Sequence, residues 1–163
     1  MDWLEIIFTG QPLAFFGIAL AIGLCTTGSA MGLGIVGEAG TGLMTEDPSK
    51  FAPILILQVV PSTNGIYGFV FGMLCMVRLN MFGDEMIYLT FQDGALLLFA
   101  SLPIALTGLV AAVTQARIVA GIINLIAKRP EDMAKGILVA VMVEFFTIVA
   151  LLASILMLFA LPF

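Results

Sequence analysis

Residues 136–163, GILVAVMVEFFTIVALLASILMLFALPF, form a long apolar run in which Glu144 is the single charged residue. At 1.5 Å per residue, this run is long enough for a helix to cross the roughly 30 Å of hydrocarbon in a membrane. An ionised carboxylate at that depth costs about 3 kcal/mol on insertion scales, so such residues usually mark a path for ions or protons. The alternative is a protonated carboxyl group that is hydrogen-bonded to a neighbouring helix. Glu144 is therefore the first candidate functional residue.

The composition of the whole chain agrees with this stretch. Of its 163 residues 61% are hydrophobic and only 10% are charged, whereas about a quarter of a soluble domain is charged. Three further runs lack any charge, at residues 13–36, 51–77 and 94–116. They are apolar on all sides, whereas barrel strands alternate apolar and polar residues. We predict an all-α integral membrane protein with four transmembrane helices in a single membrane domain, residues 1–163.

The cysteines and the N-terminus exclude several other classes. Cys25 and Cys75 lie in separate apolar runs and the chain has no histidine, which argues against a disulfide framework or a zinc site and favours two small core residues. The first five residues, MDWLE, are acidic where a cleaved signal peptide is basic, so we expect the first helix to be retained. No phosphate-binding glycine loop precedes a helix, and nothing indicates nucleic-acid binding.

The distribution of basic residues predicts the orientation in the membrane. The first connection carries Lys50 and the third carries Lys128, Arg129 and Lys135, whereas the second has Arg78 beside three acidic residues. Basic residues concentrate in cytoplasmic loops. We therefore expect a multi-pass protein of the cell membrane with loops 44–51 and 127–135 in the cytoplasm and both termini outside.

The two basic connections also reveal an internal repeat. Residues 42–50, GLMTEDPSK, have the same layout as residues 124–132, NLIAKRPED. Superposing Pro48 on Pro130 places the first two helices on the last two. We predict a duplicated helical hairpin, with repeat 1 at about 11–78, an outer loop at about 79–93 and repeat 2 at about 94–163.

The first helix is unusually rich in glycine. Glycine costs about 1 kcal/mol relative to alanine in a soluble helix, so its abundance needs a reason. Gly28 and Gly32 have the small-xxx-small spacing that lets helix backbones approach closely. We favour the crowded inner wall of an oligomer over a well-packed monomeric bundle.

Four polar side chains lie at one depth in the membrane when their distances are counted from the two turn prolines. Counted along the sequence, Glu144 and Gln115 are almost equally far from Pro130, on either side of it. Thr63 and Asn64 lie about as far beyond the other turn proline. At 1.5 Å per residue, all four are roughly 21 to 24 Å from their turns. Because the layer is otherwise apolar, we expect these side chains to converge.

The shared depth suggests a cation site. A carboxylate, two amide oxygens and a hydroxyl suit a hard cation better than a soft metal. Pro61 has no N–H, so it removes the usual partner of the Leu57 carbonyl and loosens the helix, which allows a main-chain oxygen near Val60 to turn to the ion. Taken singly, Thr63 would back-bond to its own helix, each amide would bond to another helix, and Pro61 would be only a kink.

Three more residues have open interpretations. Tyr67 lies on the same helical face as Thr63 and Asn64. Either its hydroxyl forms a hydrogen bond that holds Glu144 in place, or Tyr67 is an aromatic residue of the core. Glu38 and Arg117 form an ion pair or snorkel to the cytoplasmic interface. Arg117 follows Gln115 by two residues, so it faces away from the site.

Four segments carry a resemblance to a known family. They are LQVVPSTNGIYGF at 57–69, TQAR at 114–117, MVE at 142–144 and GSAMGLG at 28–34. Together with the duplicated hairpin, they resemble the membrane rotor ring subunit (K or c subunit, proteolipid) of prokaryotic V-type rotary ATPases, and most closely the sodium-translocating kind.

The resemblance implies a non-catalytic subunit that assembles with identical copies into a ring in the lipid bilayer. Each subunit would bind one Na⁺ and carry it past a stator membrane subunit that supplies an arginine, while a central-stalk subunit binds the ring on the cytoplasmic side. Tyr67 would bond the carboxylate, and the implied Na⁺ ligands are the Val60 carbonyl, Thr63, Asn64, Gln115 and Glu144. Sodium-specific members have glutamine where this chain has Asn64, which is one methylene shorter.

Three alternatives remain open at this stage. The same rotor would move H⁺ if Glu144 alone carried the ion and its polar neighbours only oriented it. A small secondary transporter also has four helices and one membrane glutamate, although in small multidrug-resistance proteins that glutamate lies in the first helix. The third is a structural four-helix protein without transport.

Overall fold

The computed structural model describes residues 9–163, which are helical with short connections and contain no strand. Residues 1–8, including the acidic segment discussed above, lie outside the described part. Five α-helices follow one another: α1 Gly10–Glu46, α2 Phe51–Val59, α3 Thr63–Arg78, α4 Phe91–Lys128 and α5 Met133–Phe159. Helices α2 and α3 form one span, which a 3₁₀ turn at Val60–Ser62 interrupts.

The described residues contain four spans that are long and apolar enough to cross a membrane, which confirms the predicted number. However, α1 and α4 contain 37 and 38 residues and reach about 56 Å, well past the charge-free runs. Those runs stop at Glu38 and Arg117, but a charge does not end a helix when its side chain is accessible, as both are. No ion pair joins Glu38 to Arg117 within residues 9–163, so that interpretation is wrong for the single subunit.

The start of α4 also differs from the charge-free run. Thr90 and Asp93 form a capping box, in which the Thr90 hydroxyl accepts from the Asp93 N–H and the Asp93 carboxylate accepts from the Thr90 N–H. An acidic residue in the first turn also interacts favourably with the helix dipole. The helix therefore begins at Phe91, three residues before the charge-free run that starts at Gly94.

Two matching 3₁₀ turns, Pro48–Lys50 and Pro130–Asp132, connect the helices within each hairpin. In the first of them, the Asp47 carboxylate accepts hydrogen bonds from the Ser49 N–H at 3.0 Å and from the Ser49 hydroxyl at 2.6 Å. These bonds hold the pKa of Asp47 below its usual range. Each proline sits at the first position of its turn, where a missing N–H costs nothing.

Helices α1 and α4 pack along each other in the centre of the subunit, with α3 against α1 and α5 against α4. A Cβ built at Gly28 would lie 2.8 Å from the Cα of Leu109, and one at Gly32 would lie 3.1 Å from the Ala112 carbonyl oxygen. The tight contact predicted from the small-xxx-small spacing is therefore made inside the subunit. By contrast, a Cβ at Gly23 meets nothing within 4 Å.

Helix α5 is the least covered of the spans. Only 17% of its most apolar window is buried, compared with 39 to 44% in the other three. Around Glu144 it exposes Met142, Phe145 and Phe146, which are 59 to 66% accessible. An apolar face of this size indicates contact with lipid or with another membrane segment.

Replacing Gly28 with alanine is expected to lower the free energy of unfolding by about 1–3 kcal/mol, because the added methyl group would collide with the α4 backbone. Gly23→Ala is the matched control on the same helix, since its methyl group has open space. Thermal unfolding of the detergent-solubilised subunit measures both. Equal midpoints for the two variants would contradict the close approach of α1 to α4.

Candidate ion-binding site

Glu144, the acidic residue of α5, lies where three helices meet. Glu144 projects from α5 and is half-buried, Gln115 projects from α4, and Asn64 and Tyr67 project from α3. Asn64 and Gln115 are completely buried, each with 0% of its surface accessible. The two amides are thus held in the interior, between helices from both halves of the repeat, whereas Tyr67 and Glu144 are only partly buried.

A continuous set of hydrogen bonds links these four side chains. Asn64 Nδ2 donates to Gln115 Oε1 at 2.9 Å, and Gln115 Nε2 donates to Glu144 Oε2 at 3.4 Å. The Tyr67 hydroxyl donates to the other carboxylate oxygen, Glu144 Oε1, at 2.5 Å. Gln115 Nε2 also donates to the Ala140 carbonyl at 3.3 Å, which ties α4 to α5. Each carboxylate oxygen therefore has a donor, and Tyr67 is a partner of Glu144 rather than only a core aromatic.

Thr63 and Val60 lie at the same level but bond to each other. The Thr63 hydroxyl donates to the Val60 carbonyl at 3.0 Å, which is a back-bond within its own segment over three residues. Thr41 and Thr45 make back-bonds with the same spacing in the continuous helix α1. The oxygens of Thr63 and Val60 are adjacent to the network without a hydrogen bond to Glu144.

The break at Pro61 has a more specific geometry than the sequence suggested. The Leu57 carbonyl loses its usual donor at Pro61, yet it accepts from the Val60 N–H instead. Pro61 thus removes the usual partner of this carbonyl, as expected, and the 3₁₀ turn supplies a donor one residue earlier in its place. Pro61 itself is buried in the contact with α1.

One buried oxygen in the network has no partner. Asn64 Oδ1 makes no hydrogen bond within the described residues, although it is buried. An unsatisfied buried acceptor costs about 1–3 kcal/mol, so a polar partner at this position would be stabilising. A cation is such a partner, because neutral oxygens together with one carboxylate form the donor set that hard cations prefer. Residues 9–163 contain no group of three His, Cys, Asp or Glu side chains that could hold a metal ion.

Sequence analysis missed two polar residues near the site. Ser29 on α1 is 6% accessible and bonds to the broken helix. Thr147 is completely buried, and its hydroxyl has no hydrogen-bond partner within residues 9–163. Thr147 follows Glu144 by three residues, so helical periodicity could have identified it. Ser29 had no such signal, because its contact depends on how α1 packs against α3.

Comparison with known proteins identifies relatives along almost the whole chain. The family model for the C subunit of ATP synthase matches twice, at residues 16–75 and 98–157. The two matches have the register that the turn prolines predict, since superposing position 16 on position 98 also superposes Pro48 on Pro130. This agreement confirms the duplicated hairpin.

Two individual relatives cover most of this chain. The V-type sodium ATPase subunit K of Enterococcus hirae is 40% identical over 157 residues, covering 96% of this chain and 97% of the relative. The A-type ATP synthase subunit K of Methanocaldococcus jannaschii is 35% identical over 148 residues, 91% of this chain and 64% of the relative. A V-type proton ATPase proteolipid subunit of Dictyostelium discoideum is 29% identical over 58 residues, 36% of this chain and 30% of the relative.

Replacing Tyr67 with phenylalanine is expected to raise the rate at which a hydrophobic carbodiimide labels Glu144 by roughly tenfold. The substitution removes the hydrogen bond that holds the carboxylate in one orientation. Hydrogen bonds to charged groups stabilise the bonded state by about 1.5 kcal/mol or more. Tyr88→Phe is the control, because Tyr88 is 81% accessible in the outer loop. An unchanged rate in Tyr67→Phe, or an equal increase in both variants, would contradict the assigned bond.

Proposed function

Because the chain belongs to the family of ATP synthase C subunits, we propose that it carries Na⁺ through the membrane as the rotor-ring subunit of a V-type rotary ATPase. The subunit is non-catalytic and moves the ion, and membership of this family confirms the resemblance drawn from its sequence. Membership of this family also argues against a small secondary transporter and against a structural four-helix protein without transport.

The unpartnered Asn64 Oδ1 carries the assignment of Na⁺ as cargo. A site built only to orient a protonated carboxyl group needs donors and acceptors that pair with one another, and this amide oxygen would then be an uncompensated cost. A cation between Asn64 and Glu144 would remove that cost. We propose that the ligands are oxygens of Glu144, Gln115, Thr63, Asn64 and the Val60 main chain.

The proposed mechanism follows from the cost of charge in lipid. A bare carboxylate cannot leave the protein interior for hydrocarbon, whereas a carboxylate neutralised by Na⁺ can travel past lipid on a turning ring. The hydrogen bonds from Tyr67 and Gln115 keep the Glu144 oxygens turned towards the cation. Release then requires a competing positive charge together with a water path.

This competing charge is proposed to come from an arginine of a stator membrane subunit. Arg117, the basic residue nearest to the site in sequence, is exposed, whereas Gln115 two residues before it is buried. The two side chains thus lie on opposite faces of α4, so Arg117 does not meet Glu144 within the subunit.

Identical subunits in a ring would cover the exposed parts of each copy. Helix α5 exposes apolar side chains on both sides of Glu144, and the half-buried carboxylate needs a further cover against lipid. We propose that a neighbouring copy provides it. The central-stalk subunit is proposed to contact the turns at 44–51 and 127–135, which carry the basic residues expected on the cytoplasmic side.

The alternative cargo is H⁺. Asn64 is shorter than the glutamine of sodium-specific members, and in the structure its amide nitrogen is bonded to Gln115. A rotor in which these amides only orient Glu144 would take up a proton at the same carboxylate. The two cargoes differ in how transport responds to an uncoupler.

ATP-driven uptake of ²²Na⁺ by liposomes containing the whole ATPase is expected to persist, or increase, when a protonophore is added, because no proton gradient would be needed. Glu144→Gln is expected to abolish uptake. Glu38→Gln, which removes an acidic group of α1 outside the site, is the matched control and should retain it. Loss of ²²Na⁺ uptake with the protonophore, together with ATP-driven acidification in its absence, would support H⁺ and contradict Na⁺.

A cysteine introduced in place of Ser49 is expected to react with a membrane-impermeant maleimide only from the cytoplasmic side, because Ser49 lies in a proposed cytoplasmic turn. A cysteine in place of Asp84, in the outer loop, should react only from the other side. Cys25 and Cys75 are buried and contribute little background. The reverse pattern would overturn the proposed orientation.

A further inference from the structure

We propose that Ser29 is a positioning residue of the ion site: its hydroxyl takes the place of a main-chain hydrogen bond in the broken helix and thereby sets where the α3 ligands lie. This inference rests on the proposed Na⁺ function. Ser29 lies on α1 and makes no hydrogen bond to the side chains of Asn64, Gln115 or Glu144, so its effect is exerted through the backbone of the neighbouring span.

The hydroxyl of Ser29 lies between two main-chain groups that would otherwise bond to each other. Gly65 N–H donates to Ser29 Oγ at 2.8 Å, and Ser29 Oγ donates to the Pro61 carbonyl at 2.9 Å. In an uninterrupted α-helix, the Gly65 N–H would donate directly to the carbonyl four residues earlier, which is that of Pro61. Insertion of a side chain into this ladder is a recognised cause of helix kinks.

The bridged segment contains proposed ligands. Thr63 and Asn64 lie between Pro61 and Gly65, the two residues that Ser29 joins, and Val60 immediately precedes them. Closing the direct bond would shorten the path from Pro61 to Gly65 and rotate the residues between them. The spacing that the Ser29 hydroxyl imposes therefore determines where the Thr63 hydroxyl and the Asn64 amide point.

Packing holds Ser29 in this place. A Cβ added to Gly65 would lie 3.1 Å from Ser29 Oγ, so α1 and α3 approach closely because residue 65 has no side chain. One turn further along α1, a Cβ at Gly32 would lie 3.1 Å from the Pro61 side chain. The contact is buried, which strengthens both hydrogen bonds relative to a water-exposed hydroxyl.

The second half of the molecule serves as an internal comparison. With the two turn prolines superposed, Ser29 corresponds to Ala111, Pro61 to Val143 and Gly65 to Thr147. None of the three features is present there, and α5 runs without interruption as Met133–Phe159. The half with the serine has a broken helix that carries neutral oxygens, whereas the half without it has a continuous helix that carries the carboxylate.

Equilibrium binding of ²²Na⁺ to purified rings tests the proposal. Ser29→Ala is expected to raise the sodium concentration at half-saturation about tenfold, equivalent to about 1.4 kcal/mol, because the direct ladder bond can close and displace the α3 ligands. The rate of carbodiimide labelling of Glu144 without sodium should stay within about twofold, since the partners Tyr67 and Gln115 are retained. A change in sodium binding without a change in labelling indicates that Ser29 positions the ligands, since general destabilisation would change both.

Thr26→Ala is the matched control. Thr26 lies one turn before Ser29 on α1, and its exposed hydroxyl donates to the Ile22 carbonyl of its own helix at 2.7 Å. Its removal deletes a hydroxyl from the same helix without touching the break, so sodium binding should be unchanged. Ser29→Cys, whose thiol is somewhat larger than the hydroxyl and forms weaker hydrogen bonds, should show an intermediate shift and serves as the test variant if Ser29→Ala rings do not assemble.

The outcomes distinguish this inference from the proposed function. If the unsubstituted ring binds sodium and the Ser29 variant that assembles binds it equally well, the role of Ser29 is overturned but the sodium function is not. A parallel change in sodium binding and sodium-free labelling would also overturn it, in favour of general destabilisation. Absence of sodium binding by the unsubstituted ring would overturn the sodium function, and this inference with it.

Discussion

The arrangement of the helices is governed by the free-energy cost of placing one carboxylate in the hydrocarbon core of a membrane. Glu144 lies on the helix that is least covered by the rest of the subunit, where an unneutralised charge would be expensive. The protein compensates with donors to each carboxylate oxygen, Tyr67 from α3 and Gln115 from α4. Because these donors come from both hairpins, the acidic group can be stabilised only when the two halves are packed together.

Duplication of the hairpin allowed its two copies to take different roles. At equivalent positions, the first copy has Ser62 and a break at Pro61, whereas the second has Glu144 and a continuous helix. A broken helix exposes main-chain oxygens and changes the direction of neighbouring side chains, which suits a supply of neutral ligands. A continuous helix keeps the carboxylate at a fixed height, which suits a charge that must meet its partner at one level of the membrane.

Much of this organisation was predictable from the sequence because membrane helices are straight and apolar, so residue counts become distances. The turn prolines placed Asn64, Gln115 and Glu144 at one depth, and the structure joins their side chains. Helix ends were harder to predict from the sequence, since Asp93 lies outside the charge-free run at 94–116 yet belongs to the first turn of the capped helix α4. The role of Ser29 was not visible at all, because its bonds to the broken helix depend on the crossing of α1 and α3. The back-bond of Thr63 was one of the alternatives left open, and the local backbone geometry selects the Val60 carbonyl as its partner.

In the proposed mechanism, the buried oxygens around Glu144 surround a cation rather than a proton. A structure of the assembled ring in sodium-containing buffer, resolved at the level of individual side chains, tests it most directly. We expect density for one ion per subunit within about 2.5 Å of Glu144 and of Asn64 Oδ1, with the Ser29 bridge intact. An empty layer in which Asn64 Oδ1 turns away, at a sodium concentration that sustains transport by the enzyme, would contradict it.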